Sequence, residues 1–274
     1  MSGPTTAGGG PAATDPGQVR PGPAAGMTLW RLELLRLLRT HRWMVLLGVY
    51  LLFGILGPLG ARYLNELLAG VGGEITIIAP DPRPVDGLIQ FISNASQLGL
   101  IAVVVVAAGA LAFDAQPERA AFLRTRMEHP GRLVLAPYVL TTVAAGLSLV
   151  IATGVAVLLT GMLIGWLPLF EVVVGTAFGV LYLAVAIAVV AALASLLRSQ
   201  VGVVLAALGG LILLPVLAMV EMIRPWMPSE LLTAVVGLVE GQGPAAYWRA
   251  VVVAVVATVG LVGVAMHRLE RREL

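Results

Sequence analysis

The chain has 274 residues, 59% of them hydrophobic and 12% charged, with a formal net charge of +2. A soluble domain of that balance would expose far too much apolar surface, so the composition implies a bilayer as solvent. Cysteine is absent and so is lysine, all 17 basic residues being arginine. This excludes disulfides, thiol nucleophiles, thiolate metal sites, Schiff-base chemistry and the P-loop whose lysine reaches a nucleotide's β and γ phosphates.

Residues 1–26 are mostly Gly, Pro, Ala and Thr, too poor in large apolar side chains to offset chain entropy, and read as a disordered cytoplasmic tail. No apolar core follows a basic start within them, so they do not read as a signal peptide; Met27 is a second candidate initiator. Residues 28–42 have helical propensity. Trp30, Leu34, Leu37 and Leu38 share one arc and Arg31, Arg36, Arg39 and Arg42 another, with Leu32 and Leu35 among the arginines. That pattern suits an amphipathic helix lying on the inner leaflet. A solvated helical lead-in to the first span is the plainer alternative.

Six apolar runs follow, at 43–60, 90–113, 138–163, 172–196, 201–221 and 249–267. Each is long enough to cross a hydrocarbon core of about 30 Å. The expected architecture is an all-α integral membrane protein, a six-helix transmembrane bundle over residues 27–274 preceded by the amphipathic interfacial helix. No run carries Asp, Glu or Arg centrally; Asp114, Glu171, Glu221 and Arg249 fall at ends, where they reach headgroups. Thirteen arginines (20, 31, 36, 39, 42, 119, 124, 126, 132, 198, 268, 271, 272) fall on one side of these spans and four (62, 83, 224, 249) on the other. Basic residues near span ends are retained inside, which places both termini in the cytoplasm of a cell-membrane protein. The basic balance is thus a matter of topology and not of nucleic-acid binding.

The outer connections are 61–89, a tight turn around Trp166 to Phe170, and 222–248. In the last, Pro225 and Pro228 precede an apolar helical run at 229–239 with Ser229 as candidate N-cap. At about 16 Å that helix cannot span, and reads as re-entrant or interfacial. Gly161 and Gly165 close the third span and Gly175 and Gly179 open the fourth, a spacing that lets helix backbones approach, though 32 glycines also yield it by chance.

Chemistry inside the membrane needs polar groups at depth. His41, His129 and His267 instead fall near the cytoplasmic span ends without metal-ligand spacing. The Ser and Thr residues of the spans have no deep histidine to serve as base, and are expected to bond to their own helix backbones. Charge concentrates in the loop at 114–132, where signs alternate and Phe122, Leu123 and Met127 can form an apolar ridge on a short helix. A ridge rimmed by arginine suits docking into a partner's groove; a headgroup anchor is the bland alternative.

At this loop the sequence resembles the permease subunits of type-2 ATP-binding-cassette exporters, through Asp114, then Phe122, Leu123, Arg124, Thr125 and Arg126, and the closing Arg132. It departs in Glu118 and Arg119, which replace the usual Gly-Thr, in a late Pro130, and in Pro137 where a lysine often leads into the next span. The resemblance implies that a separate soluble ATPase subunit, carrying ATP and Mg, docks on a coupling loop (Glu118, Phe122, Leu123, Arg124, Thr125, Arg126, Arg132) and on the interfacial helix (Trp30, Arg31, Arg36, Arg39). It also implies that a second permease chain, identical or not, completes the pathway. No cofactor is expected in this chain. A non-transporting membrane scaffold or assembly factor is the second reading, and an ion-coupled secondary transporter, disfavoured by the lack of ionisable groups at depth, the third. An enzyme ranks last.

Overall fold

The structure, a computed structural model, describes residues 24–71, 81–112 and 132–271. Among these it is all-helical. The elements are α1 (Ala24–Arg39), α2 (Arg42–Val71), α3 (Pro84–Asn94), a π-helical turn (Ala95–Gly99), α4 (Leu100–Leu111), α5 (Arg132–Leu163), α6 (Leu169–Leu196), α7 (Gln200–Leu217), α8 (Glu230–Val239) and α9 (Trp248–Arg271). Six helical stretches are long and apolar enough to cross a membrane: Arg42–Tyr63, Pro84–Leu111, Leu133–Leu163, Leu169–Leu196, Gln200–Leu217 and Pro244–Arg271. The protein is a multi-pass, six-helix membrane bundle. Of the tail expected at 1–26, residues 1–23 lie outside the described residues, and 24–26 are corrected to helix, as the first residues of α1.

Several helices run beyond the expected bounds, the third span opening at Leu133 and not 138 and the sixth covering Pro244–Arg271 and not 249–267. Two other boundaries differ for plain local reasons. The second span opens at Pro84 and not at residue 90, because Pro84 occupies the first turn and Asp86 accepts from the Arg83 backbone N–H at 2.7 Å and from the Arg83 guanidinium at 3.1 Å. The Asp86 carboxylate, within the expected outer connection 61–89, is a helix-start signal. The fifth span stops at Leu217, two residues past Pro215, and the chain continues in turns.

Between α1 and α2 the chain turns on His41, whose φ of 54° is the left-handed conformation that ends helices. Thr40 Oγ1 donates to the Arg36 carbonyl at 2.7 Å, so α1 closes with its last turn satisfied.

α6 is the central helix. It packs against α4, α5, α7, α8 and α9, and Leu183, Ala186, Ile187, Ala188 and Val190 are completely buried. α2 lies along α5 and α3, close enough at two glycines to exclude any side chain. A Cβ on Gly54 would fall 2.7 Å from the Ala152 carbonyl oxygen, and one on Gly57 would fall 2.8 Å from the Phe91 nitrogen. Without a hydrophobic drive between helices in lipid, such backbone proximity is a principal source of cohesion. α7 and α9 are peripheral and present apolar faces outward, with Leu205, Ile212, Val256 and Val259 all exposed.

Candidate functional site: a side-opening cavity beside a π-helical turn

The π-helical turn has a local cause. In the polar stretch Ser93 to Gln97, Asn94 Nδ2 donates to the Gln90 carbonyl at 2.8 Å and Ser96 Oγ to the Ser93 carbonyl at 2.8 Å, so side chains compete with the helical ladder. The Tyr50 ring of α2 abuts Gly99, where a Cβ would meet it at 3.0 Å. The extra residue in this turn shifts the register, and Ser96 and Gln97 face a cavity of about 800 Å³. Such insertions recur at functional sites.

Four walls bound the cavity: the π turn and the start of α4 (Leu100, Ile101), Tyr182 of α6, the C-terminal half of α7 (Leu208, Leu211, Ile212, Pro215, Val216), and α8 with the turns before it (Met219, Arg224, Ser229, Glu230, Leu232, Thr233). The size is that of a small-molecule site. Most of the lining is apolar. Polar groups gather at the α8 end, where Arg224 Nε donates to Glu230 Oε2 at 3.1 Å and Ser229 Oγ is buried without a hydrogen-bond partner. Ile101 (43% exposed), Ile212 (62%) and Met219 (82%) belong both to the lining and to the bundle's surface, so the cavity opens sideways between α4 and α7. Its form suits an amphiphile, apolar along the span and polar at one end.

α8 is the floor of this site. It buries Leu231, Ala234, Val235 and Leu238 against the bundle. Its expected N-cap is corrected: Ser229 has helical φ and ψ and makes no capping bond, because the chain is already turning through backbone bonds from Glu230 to Met227 and from Leu231 to Pro228.

At the opposite end of the bundle α1 docks beside Gly109, Pro137 and Thr141. Arg36 Nη2 donates to the Gly109 carbonyl at 3.4 Å, in the last turn of α4, and Arg36 Nη1 lies 3.6 Å from the carboxylate of the buried Glu33. The Arg42 guanidinium and Gln200 amide also approach Gly109. Trp30, Arg31 and Arg39 are exposed, as are Leu34, Leu35 and Leu38. The face turned to the bundle is therefore the Glu33–Arg36 face. Arg36 parts from the other arginines because a helix C-terminus attracts a cation.

The loop residues Glu118, Phe122, Leu123, Arg124, Thr125 and Arg126 lie outside the described residues. Arg132 opens α5, with its side chain likewise undescribed. The four singled-out glycines do not form one α5–α6 seam. Only Gly179 faces across it, with Leu149 3.1 Å from where a Cβ would stand. Gly161 lies under the Trp166 ring of its own turn, Gly165 beside Pro84, and Gly175 on the backbone of Val235 in α8. Their spacing carried no information about which neighbour each would meet. Thr142, Ser148, Thr153, Thr176 and Ser195 donate to carbonyls of their own helices, at 2.6 to 2.8 Å. The cavity itself escaped the sequence, although the polar stretch at Ser93 to Gln97 inside an apolar run was its signal.

Comparison with family models, with curated proteins and with solved structures yields no match. What the molecule establishes by itself is its class, a six-helix multi-pass membrane protein with a side-opening cavity.

Proposed function

We propose that this chain is the permease subunit of an ATP-binding-cassette exporter in the cell membrane, with both termini cytoplasmic. It works with a second permease chain and a separate soluble ATPase. The observation that carries the reading is the tie between α1 and α4. Arg36 joins the amphipathic helix to the turn from which the chain enters the 114–132 loop. One of the two elements to which the family resemblance assigns ATPase docking is thus tied to the end of α4 that leads into the other, and α4 runs from there to the cavity wall. The cavity supplies a second support, since an apolar recess with a polar end and a lateral mouth suits an amphipathic cargo entering from the bilayer. These 274 residues hold no lysine for the usual P-loop, which supports assigning nucleotide binding to a partner ATPase.

The test is co-expression with an ATP-binding-cassette ATPase encoded beside this chain. The wild type is expected to co-purify with it, and Arg124→Glu with Arg126→Glu to lose the ATPase while keeping its melting temperature, because docking responds to charge sign. Unchanged co-purification of the reversed variant, or no complex with the wild type, defeats the reading.

A further inference from the structure

Beside the cavity, the end of the bundle that carries α8 holds an arginine that neither the fold nor the proposed pathway uses. Arg249, the second residue of α9, places its guanidinium carbon 5.4 Å from the ring centroid of Trp226 and 5.6 Å from that of Trp248. The two indoles meet edge to face, with centroids 6.3 Å apart. They are 22 positions apart in sequence and come from different elements. Trp226 ends the 3₁₀ turn Arg224–Trp226 that Pro225 stiffens, and Trp248 begins α9. Among the described residues no carboxylate lies within ion-pair distance of Arg249, whereas its neighbour in the cluster's turn, Arg224, is paired with Glu230.

A guanidinium stacked on aromatic faces keeps its N–H groups, which radiate from its edge, available to an anion. Phosphate is the anion that this planar fork fits best. The surroundings select its source. Trp226 is 43% and Trp248 55% exposed, at the depth where spans five and six end and where tryptophan favours the headgroup boundary. In the segment leading to the same turn, Met219 and Met222 are more than four-fifths exposed. A free anion gains nothing from this apolar rim, whereas a lipid sets its phosphate on the cation and its glycerol and acyl carbons on the indoles and methionines.

We infer that Arg249, Trp226 and Trp248 form a binding site for the phosphate of an anionic phospholipid, at the rim of the span end that borders the cavity. The site stands whether or not the chain is a permease.

The experiment uses the full chain purified in detergent, with phosphatidylglycerol or phosphatidylcholine added and bound lipid counted by native mass spectrometry. The wild type is expected to retain phosphatidylglycerol in preference. Arg249→Gln should weaken that retention about fivefold, the value of one arginine at an anionic surface, and weaken phosphatidylcholine, whose choline cation offsets its phosphate, by less. Equal retention of phosphatidylglycerol by Arg249→Gln overturns the proposal. So does its displacement from the wild type by millimolar inorganic phosphate, which would mark a soluble-anion site. If Arg249→Gln does not yield folded protein, brominated lipids decide with the wild type and a Trp226→Phe/Trp248→Phe variant. Brominated phosphatidylglycerol should quench wild-type tryptophan fluorescence at a lower mole fraction than brominated phosphatidylcholine, with the difference lost in the variant. Equal quenching by the two lipids in the wild type sinks the idea.

Discussion

The backbone of Val235 lies directly on Gly175, leaving no room between them for a methyl group. α8 can reach the bundle core because α6 has no side chain at that point. Gly175→Ala should therefore push α8 outward and destabilise the protein by about 1–3 kcal/mol, the usual cost of overpacking. Gly154→Ala, in open space on α5, should be neutral or mildly stabilising. Melting temperatures of the two variants in one detergent check this pair, and equal shifts would refute the contact.

Arg36 holds α1 to the rest of the molecule. Replacing it by Ala removes one donor to the Gly109 carbonyl and one cation near Glu33, at about 0.5–1.5 kcal/mol for the net loss of a single hydrogen bond. The loss is local. Hydrogen exchange over residues 30–39 should quicken while exchange in α6 stays slow, and unchanged protection of α1 would show that the helix is held by other contacts.

A cysteine-free chain gives clean topology probes. Single cysteines at Arg198 and Arg268 should react with an impermeant maleimide only after the membrane is opened, and cysteines at Pro168 and Glu240 before it. The reverse pattern would invert the arginine-based orientation.

The ion pair at the cavity's polar end predicts a change in selectivity with little change in stability. Arg224 is 63% exposed and Glu230 22%, so Glu230→Gln should cost no more than about 1 kcal/mol. It leaves Arg224 without its carboxylate, and binding to the purified protein, followed by a fluorescent amphiphile, should shift toward anionic headgroups. Thr233→Trp, which fills the recess from α8, should abolish that binding without unfolding the bundle. Retained binding in Thr233→Trp would place the amphiphile elsewhere.

Span number was legible because about twenty apolar residues in a row have few alternatives, and α8 was recognisable as too short to cross. Boundaries were less so: the second span reads as opening at 90 until Asp86 is seen to bond back to Arg83, and Ser229 reads as a cap although the chain ahead of it is already coiled. The loss was greatest wherever a partner from a distant segment decides the outcome. Nothing near Gly175 announces Val235, nothing near Trp226 announces Arg249, and arginines of equal sequence standing divide into two that approach Gly109, Arg36 and Arg42, and two that stay exposed, Arg31 and Arg39. Periodicity reports which side of a helix is apolar. It does not report that Glu33 and Arg36 form the side that docks.

The π-helical turn also sets how this molecule bends. α4 is a rod of twelve residues, about 18 Å long, gripped by Arg36 in its last turn and joined at its other end to a segment whose backbone ladder is already interrupted. A rod with a stiff grip and a soft joint concentrates its deflection at the joint. Ser96, Gln97 and Leu100 stand at that joint and on the cavity wall, which puts the cavity at one end of the rod and the Arg36 contact at the other, about 18 Å apart.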